Sequence, residues 1–210
     1  MSDSAFVLNP LADSRRVVPR AETQARLDLR SHAAMQIRPA DPYTIADRLE
    51  EQAWRLGEHP FLICGEQRYS YAEVDARANQ VAHAMAARGV RCGDVCALAL
   101  ENRPEFFFCW FGLVKIGAVV AFINTQVSGR PLAHALESTG ARAVIVGEEC
   151  LPNFAATEGL PDVPRYLMPD AEKPAPADLH GGIAANLAGD IAAAPRSAFS
   201  TRSASSVRLR

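Results

Sequence analysis

The sequence predicts an α/β fold built around a partial, doubly wound parallel sheet. Two short runs, Val95–Leu100 and Ala118–Ile123, are apolar throughout, as expected of strands buried on both faces, and the second is rich in β-branched residues. The thirteen residues between them, Glu105–Gly117, suffice for a crossover helix that leaves the two strands parallel. Val144–Val146 repeats the buried-strand pattern after a second helix-length segment. The resulting βαβαβ order is typical of a doubly wound sheet.

The ends of the crossover helix carry recognisable signals. Asn102 is expected as its N-cap, Pro104 fits the first turn, and Gly117 fits the end. A transmembrane alternative exists, because Phe106–Ile123 holds only one charge, Lys115, in eighteen residues. Inserting a lysine near the centre of a membrane helix costs about 2.5–3.5 kcal/mol. We therefore favour a helix, a turn and a strand in this segment over a single membrane-spanning helix. The N-terminus shows no apolar segment typical of a secretory signal.

The remaining elements are predicted from caps, periodicity and turn residues. Thr44 with Asp47, and Ser70 with Glu73, form capping-box patterns that start two helices. Glycines mark the helix ends and the centre of a hairpin. In order, the predicted elements are a helix from Thr44 to Gly57, hairpin strands Phe61–Cys64 and Arg68–Ser70, a helix from Ser70 to Gly89, the βαβ unit, a helix within Ser128–Gly140, and a short strand at Arg165–Met168.

Composition divides the chain into four regions. Residues 1–40, punctuated by prolines and mixed charges, are predicted to be a flexible leader in which Ala21–Ile37 could form a weak amphipathic helix. Residues 43–170 hold the periodic patterns. Residues 171–196, broken by prolines, are predicted to be a weakly structured linker. Residues 197–210 form a Ser/Arg-rich tail that we expect to build no core.

The overall composition excludes several functional classes. A chain of 210 residues with 49% apolar and 22% charged residues is ordinary for a globular protein. Its net charge of −2 gives no reason to expect nucleic acid as a partner. The five cysteines lack zinc-site spacing and are expected to be mostly small buried side chains in a reduced, cytoplasmic protein. They are Cys64, Cys92, Cys96, Cys109 and Cys150.

Motifs for nucleotide binding or covalent catalysis are absent from the sequence. The turn at Glu101–Glu105 has no glycine, and neither G-x-G-x-x-G, G-x-x-x-x-G-K-[ST] nor G-x-S-x-G occurs anywhere. Glu101 and Glu105 could form an acid pair, although stabilisation of a helix N-terminus explains them better. The scattered histidines have no metal-ligand spacing; they are His32, His59, His83, His134 and His180. The residues alone therefore predict no catalytic, cofactor-binding or metal-binding site.

An ordered set of segments nevertheless resembles a known family, the acyl-activating (AMP-forming) enzymes. The most similar branch is the long- and very-long-chain acyl-CoA synthetases, including the fatty acid transport proteins. The resemblance covers about residues 43–170 and concerns the N-terminal subdomain. It is carried by ENRPEF at Glu101–Phe106, WFGLVKIGA at Trp110–Ala118, FINT at Phe122–Thr125, Gly129-x-Pro-Leu-x-His134, AVIV at Ala143–Val146, and YSYAEVD at Tyr69–Asp75 with Ala78-Asn79.

The resemblance implies a ligase reaction in the intact enzyme. A fatty acid would be adenylated by ATP with Mg²⁺, and the acyl group would pass to coenzyme A. The family's Ser/Thr/Gly-rich phosphate loop follows this region, and it is not found in this sequence. No catalytic residue can therefore be carried over, and this chain alone is expected to be inactive and to bind none of these cofactors tightly. Asn124 and Thr125, at a strand's carboxyl end, are the residues best placed to border a ligand cleft, although a structural role is favoured.

Three functional hypotheses follow. The favoured one is an N-terminal fragment of a fatty acyl-CoA synthetase, truncated or frameshifted near Ser197, in the cytoplasm with peripheral membrane association as an option. The second is a non-catalytic interaction module. The third is a Rossmann-like nucleotide binder, which the missing glycines disfavour.

Overall fold

The computed structural model describes residues 19–35, 43–170 and 185–199. The chain divides into two compact units, 1–42 and 43–210. The second unit contains α2 (Ile45–Leu56), β1 (Pro60–Cys64), β2 (Gln67–Ser70), α3 (Tyr71–Ala87), β3 (Val95–Ala99), α4 (Pro104–Ile116), β4 (Val119–Phe122), α5 (Arg130–Thr139), β5 (Ala143–Gly147), α6 (Leu151–Ala155), β6 (Arg165–Met168), β7 (Ala185–Asn186) and α7 (Leu187–Ala193). Every element predicted between Thr44 and Met168 is present.

The first unit contains helix α1 (Arg20–Met35). It lies where the weak amphipathic helix Ala21–Ile37 was predicted inside the flexible leader. Its leucines are exposed, Leu27 by 50% and Leu29 by 70%. The rest of the predicted leader lies outside the described residues.

Five strands form one parallel sheet in the order β4-β3-β5-β6-β7. Ala97 on β3 lies opposite Ala121 on β4 and Val144 on β5, so β3 and β5 form the centre. The connection through α4 covers one face and the connection through α5 covers the other, which confirms the doubly wound prediction. β1 and β2 pair separately as the predicted antiparallel hairpin.

Helix starts follow the predicted chemistry with one correction. Thr44 with Asp47, and Ser70 with Glu73, make complete capping boxes at α2 and α3. The predicted N-cap of α4, Asn102, is wrong, because the cap is Arg103, which makes no side-chain capping bond. Proline at the first helical position lacks an N–H that would need a cap partner. The Arg103 guanidinium instead donates hydrogen bonds to groups outside the helix start.

Strand β4 corrects a second prediction. We expected Ala118–Ile123 to be buried on both faces, yet Val119 and Phe122 are 55% and 52% exposed. The reason is position in the sheet, since among the described strands β4 pairs with β3 alone and forms an edge. The exposed ring of Phe122 stacks on Phe106, with ring centroids 5.3 Å apart, and meets Trp110 edge-on. The edge therefore carries a partly exposed aromatic cluster.

A buried lysine joins three helices. Lys115 on α4 is 3% exposed. Its Nζ lies 2.9 Å from Oδ1 of Asp75 on α3 and also contacts the carboxylate of Glu50 on α2. Pairing of this kind is what permits a charged group inside a protein. Across the described residues, no helix combines the length and apolar character needed to cross a membrane.

Helices α3 and α4 touch most closely at Gly112. A Cβ built there would lie 2.7 Å from Cβ of Val81 and 2.8 Å from the carbonyl oxygen of Ala78. Only glycine lets the two backbones approach this far. At the end of α4, Gly117 takes the left-handed conformation (φ 84°), as its predicted role requires.

Residues 185–199 depart from the predicted linker and tail. Leu187 on α7 is fully buried, and Ile191 and Phe199 pack against the core under α3. Strand β7 extends the sheet by pairing with Tyr166 and Leu167 of β6. Short elements of this kind have too few residues to show a period, so composition alone concealed them. Residues 171–184 and 200–210 lie outside the described part of the chain.

Candidate functional site

The place where a doubly wound sheet binds ligands is the crevice beyond the carboxyl ends of its central strands. Here that switch point lies between β3 and β5, because the chain leaves β3 through α4 toward β4 on one face and leaves β5 through α6 toward β6 on the other. Glu101 follows β3, and Glu148 and Glu149 follow β5. This carboxyl edge is therefore the first position to test for chemistry.

Arg103 fills the switch-point crevice. Its Nη1 donates to Oε2 of Glu105 at 3.1 Å, and its Nε donates to Oε1 of Glu149 at 3.3 Å. Two further bonds reach the backbone after β6, to the carbonyls of Met168 (2.6 Å) and Pro169 (2.9 Å). The side chain is only 12% accessible. We call Arg103 with its acceptors the arginine plug.

The plug is completed by the loop after β5. Oε1 of Glu149 also accepts from the backbone N–H of Glu101 at 2.7 Å. Gly147 makes room for this, because a Cβ at that position would collide with the Glu149 carboxylate. Oε2 of Glu148 accepts from the N–H of Asp170 at 3.2 Å. Hydrogen bonds from and to charged side chains thus connect the carboxyl ends of β3, β5 and β6.

The residues predicted as a possible acid pair have different roles. Glu105 lies in the first turn of α4, is 8% exposed and is neutralised by Arg103. Glu101 is exposed and lies before the helix, where Oε1 accepts from Nε2 of Gln126 at 3.1 Å. The two carboxyl groups therefore bond to different partners, Glu105 to Arg103 and Glu101 to Gln126.

Asn124 and Thr125 do lie at the same carboxyl edge, after β4. Oδ1 of Asn124 accepts from the N–H of Gln126 at 2.9 Å, which closes a local turn. The carbonyl of Thr125 accepts from Nδ2 of Asn153 at 2.8 Å. These two bonds organise the loop after β4. A ligand role for them stays a prediction.

The cysteines and candidate metal ligands of the described residues form no reactive or metal-binding cluster. Burial raises the pKa of the Cys96 thiol to about 11 and of Cys150 to about 12, and raises that of Cys109 further. A thiol needs its thiolate form to react, so these three are structural. Within residues 19–35, 43–170 and 185–199, no cluster of three His, Cys, Asp or Glu side chains could hold a metal ion. His180 lies outside the described residues.

The carboxyl edge does not fit the phosphates of ATP. The loop from Glu101 to Pro104 offers a carboxylate and an already paired guanidinium, where a phosphate needs free backbone N–H groups. Carboxylates of Glu101, Glu105 and Glu149 would also repel an anion. No reaction step through ATP or Mg²⁺ follows from the described residues.

A second concavity lies between α3, α4 and α7. It is a cleft of about 170 Å³ bordered by Arg77 and Val81 of α3 and Phe108 of α4. Ala188 and Ile191 of α7 form the opposite wall. Sequence reasoning missed this cleft, because α7 was not predicted.

Comparison with known proteins decides the family. Residues 49–192 match the family described as AMP-binding enzyme. The chain belongs to the AMP-binding enzyme family. This confirms the resemblance to acyl-activating enzymes, and the match extends through α7, beyond the region where the resemblance was seen.

The chain is similar in sequence to a fatty acid transport protein and to a CoA ligase. It is 37% identical over 120 residues to long-chain fatty acid transport protein 6 of Homo sapiens, covering 53% of this chain and 19% of that protein. It is 39% identical over 88 residues to the crotonobetaine/carnitine–CoA ligase of Citrobacter koseri, covering 42% of this chain and 17% of that protein. The chain therefore spans about a fifth of the length of these relatives.

A solved structure agrees. The Mycobacterium tuberculosis fatty acyl CoA synthetase is similar to 75% of this chain over 30% of its own length, with 25% sequence identity and a TM-score of 0.59. The α/β fold with a partial parallel sheet is therefore shared with a CoA ligase.

The arginine plug was not predicted from the sequence, although an arginine followed by a proline was visible after the predicted strand Val95–Leu100.

Proposed function

We propose that this chain is the N-terminal part of an ATP-dependent long- or very-long-chain fatty acyl-CoA synthetase. The observation that carries the proposal is the family match over residues 49–192. The identity to a long-chain fatty acid transport protein and to a fatty acyl CoA synthetase supports the fatty acid substrate. The complete reaction would convert fatty acid, ATP and CoA to acyl-CoA, AMP and pyrophosphate.

These 210 residues do not carry the reaction by themselves in our proposal. The carboxyl edge is closed by the arginine plug, and the sequence has no glycine-rich phosphate loop. Tight binding of ATP, Mg²⁺ or CoA is accordingly not expected of this chain alone. Its role would be scaffolding: the two-faced sheet and α4 would support residues supplied by another segment or chain.

Pyrophosphate release tests the proposal. The purified chain would be incubated with ATP, Mg²⁺, CoA and either octanoate, palmitate or a fatty acid of more than twenty carbons. It would be assayed alone and with a separately expressed segment covering the remaining length of a fatty acyl-CoA synthetase. We expect release only from the mixture, with palmitate or the longer acid preferred. Release by the lone chain would overturn the scaffolding role, and a mixture that docks without activity would overturn the synthetase assignment.

The exposed edge of β4 favours a second candidate, a non-catalytic interaction module. Val119 and Phe122 present apolar side chains beside an unpaired strand edge. Such a module would bind a synthetase and leave its activity unchanged or lowered. Titrating the chain into an intact fatty acyl-CoA synthetase separates the two, because a scaffold adds activity only to an enzyme that lacks this part.

We also propose a cytoplasmic location. The thiols Cys96, Cys109 and Cys150 are free and buried, which suits a reducing compartment. Peripheral membrane association remains part of the proposal for the intact enzyme. Flotation of the chain with anionic and with neutral lipid vesicles would test membrane association. If the chain floats with neither kind of vesicle, the proposal of membrane association is refuted.

A further inference from the structure

A row of polar side chains on α3 faces the end of the described chain. Asn79 and Gln80 are 2% and 4% exposed, and His83, one turn further on, is half-buried. Burying an amide side chain is unfavourable unless its donors and acceptors are used. The hydrogen-bond partners of these three side chains therefore indicate the role of this face of α3.

Each of the three side chains bonds to main chain, all of it within residues 191–199. Nε2 of Gln80 donates to the carbonyls of Ile191 (2.9 Å) and Ala194 (3.2 Å). Nδ2 of Asn79 donates to the carbonyl of Arg196 at 3.2 Å. Oδ1 of Asn79 accepts from the N–H of Phe199 at 3.3 Å. Nε2 of His83 lies 3.3 Å from the carbonyl of Ser197.

Side-chain contacts anchor the two ends of this segment. At one end, Nε of Arg88 donates to Oδ2 of Asp190 at 2.9 Å, while the same guanidinium lies 4.6 Å from the ring centre of Tyr166. At the other end, Phe199 packs edge-on against His83, with ring centroids 5.0 Å apart. Between the anchors, residues 194–198 include no buried side chain.

We propose that Asn79, Gln80 and His83 form a main-chain latch that holds residues 191–199 against α3 and thereby closes one wall of the cleft beside Arg77. The latch recognises the path of the backbone, and the side chains of Arg196 and Ser197 contribute nothing to it. A segment of different sequence could occupy the same path, provided that its carbonyls fall at the same places.

The latch has a structural consequence because α7 is part of the held segment. Ile191 offers its carbonyl to Gln80 and its side chain to the cleft, so the bond and the wall depend on the same residue. Release of the latch would free Ile191 and the residues after it and open this side of the cleft lined by Val81 and Phe108, while the buried Leu187 keeps the start of α7 in place. The latch thus sets whether this apolar surface is covered.

Amide exchange and limited proteolysis of the full chain test the latch. Gln80→Met keeps the side-chain volume and removes both donors, and His83→Phe keeps the ring contact while removing the nitrogen. Losing Gln80's two bonds should raise exchange at the N–H of Phe199, and trypsin cleavage after Arg196, about tenfold; His83→Phe should raise them about threefold. Ser197→Ala is the matched control and should change neither rate.

Exchange at Leu98 and Ile145 in the sheet reports whether the fold itself survives. If the sheet stays protected and neither variant accelerates cleavage or exchange, the latch is refuted. An equal acceleration by Ser197→Ala would also refute it, because side chains would then hold the segment. Should Gln80→Met unprotect the sheet as well, the half-buried His83 variant decides the matter alone.

Discussion

Replacing Lys115 by methionine should be among the most destabilising single changes in the chain. Methionine nearly conserves volume, so little cavity forms, but the Asp75 carboxylate loses a cation 2.9 Å away. Removing one partner of a buried pair costs about 3–5 kcal/mol. Asp75 retains a bond from Nδ2 of Asn79 at 3.1 Å, and Glu50 is 42% accessible, so we take the lower end, about 3 kcal/mol.

Urea unfolding followed by tryptophan fluorescence and circular dichroism measures this cost. A loss of about 3 kcal/mol corresponds to a Tm about 6–12 °C lower for a chain of this size. Glu50→Gln is the control and should cost less than about 1 kcal/mol, since that carboxylate reaches solvent. The double variant Lys115→Met with Asp75→Asn should recover part of the loss, because the largely buried Asp75 carboxylate is removed and the remaining Glu50 carboxylate reaches solvent. A Lys115→Met variant no less stable than Glu50→Gln would refute the reasoning.

Three further predictions concern packing, pH and thiols. Gly112→Ala should destabilise by about 2–3 kcal/mol in urea titrations, because α3 backbone blocks the added methyl; an Ala variant as stable as the parent would contradict this. Bonds from Thr44 lower the pKa of Asp47 from its ordinary 3.8. The stability from Asp47 is therefore present above that pH and lost as pH falls through the folded-state pKa, so Asp47→Asn should lower the urea midpoint at pH 7 and lose this effect in acid. At pH 8 a thiol reagent should label exposed Cys92 first and the three buried cysteines only after unfolding; rapid labelling of Cys109 would contradict the burial.

Local pattern predicted most of the elements, because helix caps and strand runs depend on neighbours in sequence. Ser70 with Glu73 shows this well: the spacing alone specified a capping box that the structure contains. Local pattern could not predict which strands lie at the centre of the sheet and which lie at its edge. β3 and β4 have similar apolar composition, yet one is central and the other is an edge, and this is decided by which strands pair with them.

The site was less predictable than the fold. Arg103 was visible in the sequence, but its acceptors at Met168 and Pro169 lie 65 and 66 residues away, so no local spacing could reveal the plug. The latch has the same character, since Asn79 meets the N–H of Phe199 across 120 residues. The acceptors at Met168 and Pro169 and the donor at Phe199 are backbone groups, which leave no trace in the side-chain pattern.

The arginine plug also bears on the order in which the sheet assembles. β3, α4 and β4 are consecutive in sequence and can assemble through local contacts. Two of the four acceptors around Arg103, the carbonyls of Met168 and Pro169, reach it only once β6 has joined β5. Until then the guanidinium must stay hydrated at the mouth of the forming sheet. Contacts with long sequence separation form late and slowly. The plug therefore links an early βαβ nucleus to the arrival of β6, so that the nucleus is fully closed only when the second half of the sheet is in place.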